Sequence, residues 1–168
     1  MKTGSDEMTR QLSAITIRPA TAADCEGVLA CLHSAFAPFQ SQYTPGAYND
    51  TVLDLNTVRE RLHEMTVFTA VSDSGEIVGT IACKIIQNSE GHLRGMSVLP
   101  LWQGRGISQL LLDRAESHLR EGGCNRITLD TTEPLKRAIR FYERNGFCAT
   151  GRSVDFFGMP LFEYAKRL

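Results

Sequence analysis

The segment from Val98 to Leu112, Val-Leu-Pro-Leu-Trp-Gln-Gly-Arg-Gly-Ile-Ser-Gln-Leu-Leu-Leu, constrains this chain more than any other. An apolar strand pattern stops at Pro100, and a short loop then carries Gly104 and Gly106. A helical pattern follows at once, with Ile107, Leu110, Leu111, Ala115 and Leu119 on one face. Two glycines at the mouth of a helix leave backbone N–H groups bare, and the helix dipole adds partial positive charge there. Such a terminus is an anion site, and phosphate is its usual occupant. The dinucleotide fingerprint needs a third glycine at the position held here by Gln109, and it belongs early in a βαβ series.

Composition narrows the class. A chain of 168 residues suits one core of ordinary size. The apolar share of 42% and charged share of 22% are those of a globular protein in water. A formal charge of −1 makes no electrostatic case for nucleic acid or an anionic membrane. No run is long enough to cross a bilayer, and residues 1–14 are polar without the apolar centre of a secretory signal. They read as a disordered lead to one domain over 15–168, in a cytoplasmic protein.

Cys25, Cys31, Cys83, Cys124 and Cys148 show no Cys-x-x-Cys spacing, so free, mostly buried thiols are expected rather than a zinc site or a redox dithiol. His33, His63, His92 and His118 are equally scattered, and no metal is expected.

The pattern along the chain alternates between strand and helix periods. Ile15–Arg18 reads as a strand, and the stretch from near Asp24 to Phe36 as a helix. Ala37–Asp50, broken by Pro38, Pro45 and Gly46, reads as irregular, and Val52–Met65 as one helix. Val67–Val71 and Ile77–Ile86 form a hairpin around Ser-Asp-Ser-Gly, with a further strand from His92 to Leu99. The helix after the glycine loop ends at Gly122-Gly123 and is followed by a strand, Ile127–Thr131. Pro134 opens another helix running to Asn145-Gly146. Phe147–Thr150 and Leu161–Lys166 close the chain as strands around a Ser153–Pro160 loop. The class is α/β (α+β), with a mixed sheet.

A second unit stands in the last helix. Leu135, Ala138, Phe141 and Tyr142 share one stripe, and Arg137, Arg140 and Arg144 the opposite one. The basic stripe reads as a solvated face from which one arginine can reach a cofactor phosphate.

Together these two units resemble the GCN5-related N-acetyltransferase (GNAT) superfamily. Its acetyl-coenzyme A loop follows the pattern Gln or Arg, two residues, Gly, one residue, Gly or Ala, matched here by Gln103, Gly106 and, as a departure, Ser108. Its later pattern of Ala, three residues, Tyr, three residues, Gly-Phe is met by Ala138, Tyr142, Gly146 and Phe147. Leu135 stands where the family often has Asn. The resemblance runs over nearly the whole chain beyond the lead. It implies a largely antiparallel sheet of about six to seven strands flanked by about four helices, with a splayed central parallel pair.

The resemblance also implies a cofactor site. The pantetheine arm of acetyl-coenzyme A would lie in the splayed gap against Met96, Ser97 and Val98, beside Phe141 and Tyr142. The backbone of Gly104, Arg105, Gly106, Ile107 and Ser108 would hold the pyrophosphate, with Gln103 or Arg105 adding side-chain contacts. The reaction implied is acyl transfer to an amine by direct attack in a ternary complex, with no metal. A strand N–H such as that of Val98 would stabilise the carbonyl oxygen. Tyr142, with an ordinary pKa of about 10, would donate a proton to the leaving thiolate.

No general base is assigned: the strand His92–Val98 holds no carboxylate, and Glu90, His92 and Glu163 are the nearest candidates. The acceptor is expected to be a small-molecule amine or an amino terminus. Phe36, Phe39, Tyr43 and Tyr48 on one side, and Asp155, Phe156 and Phe157 on the other, are expected to recognise it. A homodimer is a family-level expectation. A non-catalytic acyl-coenzyme A-binding sensor or partner module is the alternative, and the absent strand carboxylate and Leu135 leave it open.

Overall fold

A computed structural model describes residues 14–87 and 89–168. The expected disordered lead therefore lies, but for Ala14, outside the described residues. The strands are β1 (Thr16–Pro19), β2 (Thr66–Val71), β3 (Ile77–Ile85), β4 (Glu90–Val98), β5 (Arg126–Thr131), β6 (Cys148–Phe156) and β7 (Met159–Arg167). They form one sheet in the order β1-β2-β3-β4-β5-β7-β6. Among the described residues β4 and β5 are the parallel pair, and all other neighbours run antiparallel.

Among the described residues five α-helices flank the sheet: α1 (Cys25–Phe36), α2 (Pro45–Val52), α3 (Leu55–Glu64), α4 (Ile107–Glu121) and α5 (Lys136–Arg144). Alternation along the strands sends neighbouring side chains to opposite faces. Phe68 and Ile81 join Leu111, Leu112 and Leu119 of α4 in one buried cluster. Their neighbours Val67 and Ala82 join Val28 and Leu32 of α1 and Val58 of α3 in the other.

Four local expectations are corrected. The stretch Ala37–Asp50 is not irregular: a 3₁₀ turn over Ala37–Gln42 leads into α2. Pro45 sits in the first helical turn, where no N–H is needed, and Thr44 caps it by accepting from the Ala47 N–H at 3.3 Å. Val52–Met65 is two elements rather than one. Leu53 turns to φ 62°, and Asp54 then starts α3 by accepting from the Thr57 N–H at 2.9 Å.

The Ser153–Pro160 loop is instead the end of a long hairpin. Phe157 at φ 51° and Gly158 at φ 88° form a two-residue turn whose twist matches the strands. Pro160 is tolerated there because it pairs only with Asp155 of the edge strand β6. Pro134 also precedes rather than opens its helix, which starts at Lys136.

Two features open the centre of the sheet. Pairing between β4 and β5 runs only from Glu90 opposite Arg126 to Leu93 opposite Leu129. Against β3, the register jumps from Thr80–Ser97 to Ala82–Arg94, which places one extra residue in β4. Gly95, at φ 64°, takes up that bulge, and a bulge bends its strand. The far half of β4 thus departs from β5.

Candidate active site

The parted strands frame a cleft of about 810 Å³. Its walls are Met96, Ser97 and Val98 of β4, Leu129–Thr131 of β5, and Ala138, Phe141 and Tyr142 of α5. Backbone direction along β4 follows from one bond: the Leu99 N–H donates to the Val78 carbonyl at 2.8 Å. Backbone groups alternate sides along an extended strand, so those of Val98 turn away from β3 and toward the gap. There the Val98 carbonyl accepts from the side-chain amide of Gln103 at 2.9 Å, which ties the glycine loop to the strand end. Two hydroxyls flank the gap, Ser97 Oγ on β4 and Thr131 Oγ1 on β5. Both are buried without a hydrogen-bond partner among the described residues.

The loop arrives as expected at a bare helix end. Gly106 caps α4 at φ 83° with no side-chain cap, leaving the first-turn N–H groups unbonded by side chains. Gln103, Gly104, Gly106, Ile107 and Ser108 line the cleft, whereas Arg105 does not; its guanidinium lies over the Trp102 ring, 4.9 Å from the centroid. Basic charge comes from α5 instead. Arg137 and Arg144 line the cleft, and Arg137 Nη1 donates to Gln103 Oε1 at 3.4 Å. Their place in the alternating basic stripe was the available signal. A stripe alone does not distinguish solvent from a phosphate-facing edge.

Tyr142 is 8% exposed, packed edge-on against Phe141 and Phe147. Burial pushes its phenol well above the ordinary value, so the proton stays on at any working pH. The hydroxyl makes no hydrogen bond to a described residue, and the side chain lines the cleft. It is a donor without an assigned acceptor.

Beside the gap one face of the sheet is polar. His92 on β4, Thr128 and Asp130 on β5, and Glu163 on β7 share it, with Asp130 directly opposite Glu163. His92 Nδ1 lies 2.9 Å from Thr128 Oγ1, and the Thr128 hydroxyl is itself directed to the Gly91 carbonyl at 3.4 Å. That chain favours an Nδ1–H tautomer and leaves a lone pair on Nε2, 3.8 Å from Asp130 Oδ2. Burial lowers the His92 pKa against the opposing pull of Asp130, so the ring is neutral at pH 7. Burial likewise raises Asp130. Both line the cleft. Glu90 is engaged elsewhere, paired with Arg126.

Of the aromatic residues expected to recognise an acceptor, Phe36, Phe39 and Tyr43 line the cleft, and Tyr43 is fixed by a 2.6 Å hydrogen bond to Thr132. Phe156 reaches it from the hairpin, whereas Phe157 packs over Gly46. Tyr48 and Asp155 lie outside it; Asp155 accepts from the Gly158 N–H in the hairpin turn.

Among the described residues no cluster of His, Cys, Asp or Glu is arranged to hold a metal, and no helix is long and apolar enough to span a membrane. Cys25, Cys31, Cys83 and Cys124 are buried thiols, and Cys148 is exposed on β6.

Comparisons with known proteins agree with this geometry. A family model described as the acetyltransferase (GNAT) family matches residues 30–147. An N-alpha-acetyltransferase MAK3 of Arabidopsis thaliana is 34% identical over 93 residues, 52% of this chain and 49% of that protein. The chain thus spans about half the length of that curated relative. A GNAT-family acetyltransferase of Staphylococcus aureus superposes with a TM-score of 0.75 at 22% identity, over 92% of this chain and 99% of the other. The PaiA N-acetyltransferase of Thermoplasma acidophilum, solved with coenzyme A, gives 0.75 at 21% identity over the same shares. At such identities the two structures speak for the fold.

Proposed function

The chain belongs to the acetyltransferase (GNAT) family, and from that premise we propose that it transfers an acetyl group from acetyl-coenzyme A to the amine of a small molecule or an amino terminus. The observation that carries this reading is the gap itself. Pairing between β4 and β5 stops at Leu93 opposite Leu129, and beyond it the outward backbone of Val98 lines the place where an extended pantetheine arm would pair with a strand edge.

Acetyl-coenzyme A supplies an activated thioester; the chain's residues do the rest. The N–H groups from Gly104 to Ser108, with Arg137 beside them, neutralise the pyrophosphate. The Val98 N–H is the donor for the carbonyl oxygen as charge develops on it. His92 accepts the amine proton at Nε2, directly or through a water, and Asp130 stabilises the imidazolium that results. The neutral acceptor nitrogen then forms its bond to the acyl carbon as the carbon–sulfur bond breaks, and sheds its second proton to solvent as it becomes an amide. Tyr142 hands its hydroxyl proton to the departing sulfur and is reprotonated from solvent. Because burial makes the phenol a weaker acid, its contribution is a strong hydrogen bond that becomes proton transfer as charge builds on sulfur.

Calorimetric titration with coenzyme A, acetyl-coenzyme A and NAD tests the cofactor assignment. One-site binding of the two coenzyme A ligands alone, abolished in a folded Gly106→Trp variant, is the expected result. Binding of NAD in their place sinks the reading.

A further inference from the structure

One charged side chain in the cleft belongs to none of these steps. Arg61 of α3 is only 8% exposed and lines the cleft beside the β4 bulge. Its Nη1 lies so close to Gly95 that a Cβ there would stand 2.5 Å from it. It makes no hydrogen bond or ion pair to any described residue. The nearest carboxylate that acts on it is Asp50, and Asp50 is already engaged by Arg94 at 2.6 Å. Arg94 itself repels Arg61. Two guanidiniums and one carboxylate leave one positive charge without a counterion, in a pocket whose other walls include Phe36 and Phe39. Burial pulls the Arg61 pKa down to about 10, so the group is still a cation at neutral pH.

A buried, unpaired guanidinium is among the more costly arrangements a fold can hold. Arg61 is one of the residues that line the cleft, so a ligand held there meets it. A guanidinium offers a planar fork of N–H donors whose best match is a carboxylate.

We propose that the acceptor amine carries a carboxylate and that Arg61 is its receptor. The carboxylate docks against α3 and the β4 bulge while the amine faces His92 and Asp130. The chemistry is the same for the α-carboxylate of a free amino acid and for an acidic side chain at an amino terminus. This assignment rests on the acyl-transfer reading above and narrows its substrate class.

The test is thiol release from acetyl-coenzyme A with matched acceptor pairs, on wild type, Arg61→Met and Arg61→Lys. One arm pairs free amino acids with their α-amides. The other pairs dipeptide amides that begin with Asp or Glu with those that begin with Asn or Gln. In one arm the carboxylate member is expected to have about 10- to 100-fold higher kcat/KM in wild type. Arg61→Met brings that ratio to near one, and Arg61→Lys restores part of it. The arm that shows the preference identifies the source of the carboxylate. The ratio is taken within one protein, so it is unaffected by differences in folded fraction. Arg61→Met is also expected to unfold at or above the wild-type temperature, because it removes an uncompensated buried charge; a purely structural arginine would give the opposite.

A panel in which no carboxylate member outperforms its neutral partner, including one in which none reacts, overturns the proposal. So does a preference that survives in Arg61→Met. Calorimetry with coenzyme A on the same proteins separates the two readings. Intact binding with turnover but no carboxylate preference defeats the receptor alone, whereas absent binding in wild type, or binding with no turnover of any amine, defeats the acyl-transfer reading as well.

Discussion

The side-chain amide of Gln109 donates to Asn145 Oδ1 at 2.9 Å and so joins the first turn of α4 to the end of α5. Gln109 also reaches Asp113 at 2.8 Å, and Asn145 returns a bond to the Phe141 carbonyl at 2.9 Å. The helix that presents the glycine loop is thereby fixed against the helix that carries Tyr142. Replacing Gln109 by Ala is expected to destabilise the fold by about 1 kcal/mol and to lower kcat more than it raises KM for acetyl-coenzyme A. Denaturant titration and initial-rate kinetics on the same preparation check both.

Tyr142→Phe separates chemistry from packing. The ring stays between Phe141 and Phe147, and the hydroxyl has no described partner to lose. Stability is expected to hold or rise, while kcat falls about 100-fold or more with little change in coenzyme A affinity. A kcat within a factor of about two of wild type would reduce Tyr142 to a packing residue.

The pH profile should carry the signature of His92. Its folded pKa is held below the ordinary 6.5 by burial, so below that pH the unfolded chain binds the proton more readily. Stability contributed by the neutral ring is therefore full above about 6.5 and is lost as pH falls toward the folded pKa. Asp130 and Glu163 pull the folded value up and Arg94 and Lys84 push it down, so the acid limb of kcat/KM should shift upward in Arg94→Gln. His92→Gln should lower the rate and remove that limb, as read from kcat/KM between about pH 5 and 8.

Gly95→Ala tests the bulge. The position has φ 64°, and a methyl group would meet Arg61 Nη1 at 2.5 Å. The left-handed backbone alone costs about 1–2 kcal/mol for a residue with a Cβ. Thermal unfolding should show at least that loss, and β4 can no longer bend at this point without displacing Arg61.

Much of this architecture is legible in the residues, because its strongest signals are local. Gly104 and Gly106 before an amphipathic helix, and the Ala138–Phe147 spacing, name the loop and the tyrosine. The backbone of Met96 and Val98 follows from where a strand must end at Pro100. Less legible were features that depend on partners far along the chain. Pro45 looks like a breaker until Thr44 is seen capping it, and Asp155-Phe-Phe-Gly158 looks like a loop until Gly158 takes its left-handed place in a tight hairpin turn. His92 and Asp130 become a pair only when β4 and β5 lie parallel, 36 residues separating His92 from its Thr128 partner. Arg61 falls on the buried side of a helix whose pattern is otherwise ordinary, and nothing in its neighbours marks it as unpaired. Arg105, within the motif itself, turns out to stack on Trp102 instead of facing the cleft.

The most direct measurement is the stoichiometry of coenzyme A thiol released and N-acetylated product formed, by mass spectrometry, from acetyl-coenzyme A and the matched acceptor panel. Equal amounts of thiol and acetylated amine in wild type, with the rate of both reduced about 100-fold in Tyr142→Phe, are expected. Tight coenzyme A binding without any acetylated amine would contradict catalysis and leave an acyl-coenzyme A-binding module.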